Sequence, residues 1–584
     1  MASYEELKKA ADKKWAELTG GKKPWIRIGT AMCGHAAGAY DVLDAIKAKL
    51  KDKKIDAVVS ETGCLGLCYA EPLLDVSKDG GARLFFGNVT PEDVDAIVDD
   101  YIAKNVVPKG KALGYLAGEG QQPIKGMGDL AKLPGIALQQ RVALRNGGNT
   151  DPGDIFQYIA NGGYSGLNKA LSTMDYNAAL DEIKNSGLRG RGGAAFPTGV
   201  KWSFLVNNTA PKKYILCNCE EGDPGAVNDK TILESDPFTL IEGLTIAGYA
   251  TRSTNGFVFI RHGHNGPIDR TEEAIRQAYE HGLLGKNILG SDFSYDIEVA
   301  LTGESYVAGE ETALMEAIEG HRSMPRARPP FPAAFGVWGR PSNINNVKTL
   351  SYAPEIISKG AEWFNSIGVN KSKGTAIVCL NGHITRPGLY EVPMGLTIGQ
   401  VVNDIGGGVP GGKQLKMLQT GGPLGGVLPA SSLDIHIDFD EMSKAGAILG
   451  SGGVIIGDDS VCAVDLTRNL VAFEQYESCG KCFPCRLGTT NLLEIVNRIL
   501  EKKSRPGDLD LMRSVGKTMQ AGSLCGHGQL GFNPIRSAIQ HFEADFEAHM
   551  TENRCPTGSC DTPKYMPITT RPFSMEAVAE RAGD

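Results

Sequence analysis

The 584-residue chain has no run approaching the roughly 18 consecutive apolar residues of a membrane span, although 41% of its residues are apolar. It has no long basic run, its net charge is −8, and its isoelectric point is near 5.8. An electrostatic footprint for nucleic acid is therefore excluded. The first residues, MASYEELKKAADKKWAEL, pattern as a charged amphipathic helix and lack the apolar stretch and small-residue cleavage site of a secretory signal. The expectation is a cytoplasmic protein with no direct membrane span, in a compartment where disulfides are rare. There is no internal repeat.

Thirteen cysteines stand out in that setting, and their clustering points to metal or redox chemistry. In ESCGKCFPCRLG (477–488), Cys479, Cys482 and Cys485 recur at every third position, and Cys525 follows in AGSLCGHGQ. This is the spacing of a [4Fe–4S] cubane, where one loop ligates three irons and a remote thiolate takes the fourth. The alternative is a structural zinc site on the same thiolates, although zinc sites more often use two separated C-x-x-C pairs. Pro484 inside the run predicts a loop rather than a continuing helix. A second stretch, GLRGRGGAAFPTGVKW (187–202), reads as a phosphate cradle. Gly190, Gly192 and Gly193 let backbone amides approach a phosphate, and Arg191 and Lys201 add charge.

The patterning divides the chain into an N-terminal helix with a small α/β unit (1–106), a Gly/Pro-rich linker (107–139) and a larger α/β domain (140–362). A small β-rich module (363–445), a helical bundle (446–550) and a polar tail (551–584) follow. The expected fold class is a multidomain α/β protein ending in a helical bundle.

Beyond the glycine loop, LCNCEEGDPGAVNDK (216–230), YVAGEETALMEAIEGHRSMPRARPPFP (306–332), RPSNINNVKTL (340–350), GGPLGGVLP (421–429) and the cysteine run occur in order. In these segments, over roughly 150–545, the chain resembles the NADH-binding flavoprotein subunit of respiratory complex I and the diaphorase subunits of soluble hydrogenases and formate dehydrogenases. The resemblance implies a Rossmann-like FMN and NAD domain, an SLBB-like, ubiquitin-like β-grasp domain and a [4Fe–4S] bundle. Gly190, Arg191, Gly192 and Lys201 would hold the flavin phosphate and its approach. Asn218, Glu220 and Glu221 would hydrogen-bond the flavin, and Gly309, Glu310 and Glu311 would line the nicotinamide side. Asn345, Asn346 and Thr349 would hold the phosphate end. Phe196, Phe204 and Phe331 would pack around the dinucleotide, and Asp223 and Arg328 would meet its polar parts. With one phosphate cradle and no second glycine-rich fingerprint, FMN is expected rather than FAD. The implied activity is exchange of hydride between NAD(H) and FMN, with single electrons passed to iron–sulfur clusters. The implied partners are a small thioredoxin-like [2Fe–2S] subunit, an iron–sulfur-rich catalytic subunit (hydrogenase, formate dehydrogenase or related) and ferredoxin. A competing reading is a cluster-bearing scaffold without dinucleotide chemistry of its own.

Three departures are visible. Ala195 stands where the family usually has glycine, Arg328 where the respiratory enzyme has lysine, and Cys219 is an extra cysteine beside the flavin-binding acids. These features resemble the electron-bifurcating hydrogenase branch; Cys217 and Cys379 are expected to be packed thiols. The N-terminal unit resembles the thioredoxin-like [2Fe–2S] ferredoxin fused to such subunits, with Cys33, Cys64 and Cys68 matching three ligands. Gly38 occupies the usual fourth position, with His35 nearby as a substitute; the alternative is a docking domain with vestigial thiols. In the tail, Cys462, Cys555 and Cys560 with His541 or His549 would make a closed zinc site; unliganded thiols are the alternative.

Overall fold

The computed structural model describes residues 3–108 and 110–560. Its N-terminal helix α1 (Tyr4–Thr19) is closed by a capping box between Ser3 and Glu6. Strands β1 (Trp25–Gly29), β2 (Val58–Thr62), β3 (Leu74–Ser77), β4 (Arg83–Phe86) and β5 (Ala112–Leu116) form a sheet in the order β2-β1-β3-β4-β5. Residues 107–139, read from sequence as a linker, therefore supply its fifth strand, which pairs antiparallel with β4. Helix α2 (Met32–Ala36) and helix α3 (Ala39–Lys53) connect β1 to β2.

The central sheet is wholly parallel: β6 (Tyr214–Cys219), β7 (Asn255–Arg261), β8 (Asp296–Thr302) and β9 (Ser342–Asn346), in the order β8-β7-β6-β9. The chain winds outward from β6 to β8 and then returns to the other side of β6. The topological switch therefore lies between β6 and β9, where open α/β sheets bind ligands at their carboxyl ends. Helix α4 (Pro237–Thr251) packs on this sheet with every residue buried, so its apolar sequence has no solvent face. Glu242 within it accepts from Tyr158 Oη, Tyr164 N and Leu167 N, which satisfies its buried carboxyl.

A third sheet contains β10 (Thr375–Gly382), β11 (Gly388–Pro393), β12 (Leu415–Thr420), β13 (Gly426–Pro429) and β14 (Gly453–Asp458), in the order β11-β10-β14-β12-β13. It extends past residue 445, the boundary expected from sequence, and the C-terminal helices begin at Ala463. The periodicity of 446–462 was too short to separate a strand from a helix. Those helices are α5 (Ala463–Tyr476), α6 (Phe483–Leu500), α7 (Asp508–Gly522), α8 (Asn533–His541) and α9 (Glu543–Thr551). No helix among the described residues is long and apolar enough to cross a membrane.

The third sheet is tied to the segment leading into the central α/β domain by Glu391 on β11. Its fully buried carboxylate accepts from three consecutive amides, Val142 N (2.9 Å), Ala143 N (3.0 Å) and Leu144 N (2.8 Å). Glu391→Ala strands these donors at a cost of about 1–3 kcal/mol each. The expected result is a loss of at least ~3 kcal/mol, read as a lowered midpoint of thermal unfolding.

Candidate functional site

A cavity of about 930 Å³ opens at the switch point, near the upper end of the roughly 300–1,000 Å³ of small-molecule sites. The glycine loop forms one wall with Gly190, Gly192 and Lys201; Asn218 from β6 and Asn345 and Asn346 from β9 form the floor, with Thr349 beyond them. Gly309, Glu311 and Arg328 line another side, and Phe196, Phe204 and Phe331 face it with half-exposed rings.

The loop requires its glycines. A Cβ on Gly192 would stand 3.0 Å from the Asn346 Cβ, and Gly193 has φ +113°. Ala195 adopts φ +51°, a left-handed conformation, which accounts for glycine being usual there. The Arg191 amide donates to Thr349 Oγ1 (2.8 Å). Lys201 Nζ donates to the Ile344 carbonyl (2.6 Å) and lies 3.8 Å from Glu311, whose other oxygen accepts from Arg328 Nη1 (2.6 Å). Burial pushes the Lys201 pKa down. The Asn218 amide donates to the Gly309 carbonyl (2.8 Å), and the Asn345 oxygen accepts from Trp202 Nε1 (2.9 Å). The Asn346 amide donates to Asp229 Oδ2 (2.6 Å). An anionic phosphate and a flat polar ring system fit this donor set, glycine cradle and aromatic rim.

Five residues expected at the cofactor are placed behind the wall. Arg191 is buried, and its guanidinium donates to the carbonyls of Arg189 (2.7 Å), Lys373 (2.5 Å) and Thr375 (3.1 Å), anchoring the loop rather than facing a phosphate. Glu221 accepts from Asp229 N (3.1 Å) and Lys230 N (3.0 Å), capping the helix Asn228–Ser235. Glu310 is itself the N-cap residue of the helix Glu311–Ile318, accepting from Thr312 N (2.9 Å) and Ala313 N (3.0 Å). Glu220 is paired with Arg261 and packs behind Gly309; burial raises its pKa to about 7. Asp223 accepts from Tyr306 Oη (2.7 Å) and Ser451 Oγ (2.6 Å). Arg191, Glu220 and Asp223 have taken partners from distant segments, which local sequence does not reveal, whereas Glu221 and Glu310 are used by helix starts that follow them closely in the chain.

Cys479, Cys482, Cys485 and Cys525 line one small pocket with Val307, Pro325 and His527. Pro484 falls in the first turn of α6, where a missing N–H costs nothing, so Cys485 is helical and only the preceding part of the run is a loop. Gly528 is required here, because a Cβ would come 2.8 Å from the Cys485 Cβ. Burial pushes the Cys485 thiol up to about 12 and the Cys525 thiol up to about 11, so these groups act as thiolates only around a cation.

Among the described residues, two groups of three or more His, Cys, Asp or Glu ligand atoms lie within 4.8 Å of one another, and the four thiols of this pocket are not one of them. They are spread wider than the ~3.8 Å between thiolates on a single tetrahedral zinc. One converged group is Cys462, His549, Cys555 and Cys560. His549 points Nε2 at Cys462 Sγ (3.7 Å) and its Nδ1 hydrogen at the Asp545 carbonyl (2.6 Å). His541, the alternative imidazole, ends α8 and is not in the group. Asp545 Oδ2 accepts from Ala463 N (2.9 Å), which brings α9 and its His549 to Cys462. Residues 561–584 of the expected tail lie outside the described residues. At the other end of the chain, Cys64 and Cys68 have sulfurs 3.9 Å apart, with Cys33 on α2 beside them. Cys217, Cys219 and Cys379 are buried free thiols.

The Nuo51 FMN-binding domain family matches residues 183–355, which contain the glycine loop and the cavity floor. The iron–sulfur binding region of NADH-ubiquinone oxidoreductase-F matches 465–549, which contain all four pocket cysteines, and the SLBB domain matches 377–428. The HndC subunit of an NADP-reducing hydrogenase from Solidesulfovibrio fructosivorans is 46% identical over 422 residues, covering 72% of this chain and 86% of that one. The second F-type polypeptide of the NADH-quinone oxidoreductase of Rhizobium meliloti is 41% identical over 415 residues, covering 71% and 99%. The chain belongs to the F-type family of NADH-quinone oxidoreductase subunits. A crystal structure of NAD+-reducing [NiFe]-hydrogenase aligns over 94% of this chain and 90% of that one, with TM-score 0.63 and 26% identity.

Sequence reading missed several members of this F-type site. Arg261 ends β7 beside β6, a place that the parallel topology marks once the strand order is known. Lys348 pairs with Asp229 (3.1 Å) under the cavity. Ser451 lies in LGSGG, a glycine-rich turn legible in the sequence but without a partner there. Gly192→Ala must push Asn346 aside, and the expected outcome is at least tenfold less flavin retained on gel filtration, with iron content unchanged.

Proposed function

We propose that the chain is the NAD(H)-oxidising flavoprotein subunit of a multi-subunit oxidoreductase with an iron–sulfur-rich partner. The observation that carries this reading is adjacency. Gly309 lines the large cavity and Val307, two residues earlier, lines the four-cysteine pocket. At no more than ~3.6 Å per residue, a single turn of backbone separates the two sites. When bound, FMN would take a hydride from NADH and release electrons singly to a [4Fe–4S] centre.

In this reading the amides of Gly192 and Gly193 and the side chains of Asn346 and Thr349 receive the FMN phosphate, while the Gly190 and Arg191 amides, bonded to the Phe196 carbonyl and Thr349 Oγ1, fix the turn. Asn218 and the Gly309 carbonyl orient the ring. Phe196, Phe204 and Phe331 exclude water and offer flat faces to a dinucleotide. Glu311, held by Arg328 and Lys201, is the carboxylate that meets NADH, as its two cations keep it aimed into the cavity. Cys479, Cys482, Cys485 and Cys525 hold the cubane. The N-terminal unit is a thioredoxin-like domain in which Cys33, Cys64 and Cys68 hold a two-iron centre. The expected test outcome for Glu311→Gln is tenfold or greater loss of NADH-driven dye reduction with flavin and iron near normal. Unchanged activity would refute the assignment of this wall.

We also assign zinc to Cys462, His549, Cys555 and Cys560. The set has three thiols and an imidazole with its second nitrogen held by a carbonyl, the arrangement of a closed structural site. Cys555→Ser should remove one zinc per chain by metal analysis, lower the unfolding temperature and leave flavin and iron counts unchanged.

A further inference from the structure

Four-cysteine ligation of a two-iron centre does not fit the N-terminal unit, because the chain offers three cysteines there. We infer that Cys33, Cys64 and Cys68 form a three-thiolate centre whose fourth metal position opens to solvent and accepts a small-molecule thiolate. This rests on the two-iron reading of these residues given above.

Cys68 is the shared neighbour of the other two thiols, interacting with both Cys33 and Cys64. Cys64 and Cys68 are 3.9 Å apart, which suits two ligands of one metal. The three do not all fall within 4.8 Å of one another, unlike the set at Cys462, so no site for a single ion is formed. The inner half of the centre is sealed by other parts of the chain. Cys64 is buried, with its amide donating to Ser235 Oγ (3.0 Å) and its carbonyl accepting from Arg141 Nη2 (2.8 Å).

The outer half is open. His35, Ala36 and Ala37 are exposed, and Cys33 is only half-buried. Gly38 has φ +96°, a conformation L-residues rarely adopt, so the backbone at the fourth position is built for glycine rather than for a ligand side chain. The space its Cβ would enter has one neighbour, Asp41 Oδ2 at 3.6 Å, on an exposed side chain in the first turn of α3. Of the carboxyls nearby, the buried Glu71 accepts from Leu73 N (2.7 Å) and the half-buried Glu234 from Met32 N (2.7 Å), each through Oε2. The His35 ring lies edge-on to Tyr40, with centroids 5.2 Å apart. Iron–sulfur centres select soft thiolate donors, and the exposed Ala36–Ala37 flank leaves room for one from solution. On coordination the thiol gives its proton to solvent, and no electron is transferred.

The test uses full-length protein, loaded with iron and sulfide under anaerobic conditions and freed of thiol. Absorption and the electron paramagnetic resonance of the two-iron signal are followed while glutathione is added. The expected result is a saturable spectral shift at one equivalent per chain, with no shift on adding its methyl thioether. His35→Ala and Asp41→Ala should leave the thiol-free spectrum unchanged, and Cys68→Ala should abolish the two-iron signal while the cubane remains. A signal indifferent to glutathione, or one altered by His35→Ala or Asp41→Ala, would place a protein donor at the fourth position and overturn the inference. Absence of any two-iron signal in protein carrying its cubane would overturn the underlying two-iron reading itself.

Discussion

One buried carboxyl, Asp223, holds the working parts in register. It accepts from Tyr306 Oη and from Ser451 Oγ, and so joins the segment after β6 to the turn over the cysteine pocket and to the glycine turn before β14. The Tyr306 ring packs against Phe473 (5.3 Å) and His527 (5.7 Å) of the helical bundle. Two hydrogen bonds to one acid thus join three parts of the fold, alongside bonds such as Tyr306 N to Glu477 and Asn228 to the Ser451 carbonyl. A buried carboxyl without those donors would be costly, and burial already raises its pKa. The two sites on either side of residues 307–309 are kept close by this network.

The cavity follows from topology as much as from its lining. Reversal of strand order at β6 leaves a crevice outside the carboxyl ends of the paired strands β6 and β9, because the connections after them lead away in opposite directions. Asn218, Asn345 and Asn346 occupy those ends and are fixed by Gly309, Trp202 and Asp229. The walls are then held by groups that face away from the cavity. Arg191 binds three carbonyls, and Glu221 and Glu310 each cap a helix. These charged residues shape the site by being used up in the frame.

The two metal-type clusters differ in a way that spacing along the chain cannot express. The C-x-x-C-x-x-C run and the Cys462 set are both rich in thiols, but only the second draws its ligand atoms within 4.8 Å. Wide separation suits a polynuclear centre and close convergence suits one ion. The positions of the backbone ends decide this: Cys482 and Cys525 each stand at a helix start, whereas His549 is delivered on the last turn of α9.

The sequence alone determined the glycine loop, the cysteine run with its remote partner and the family those segments resemble, because tight turns and ligand spacing are local properties. It also carried the missing fourth cysteine at Gly38. The tertiary structure decided which acids are available to a ligand and which are committed: Glu220 to Arg261, Asp223 to Tyr306 and Ser451, and Glu221 and Glu310 to the amides of helix starts a few residues on. It also decided between His541 and His549, and it turned residues 112–116 from an apparent linker into a strand. Arg261, Ser451 and Cys462 lie far along the chain from the residues they fix, and burial makes an unpaired polar group too costly to leave without a partner.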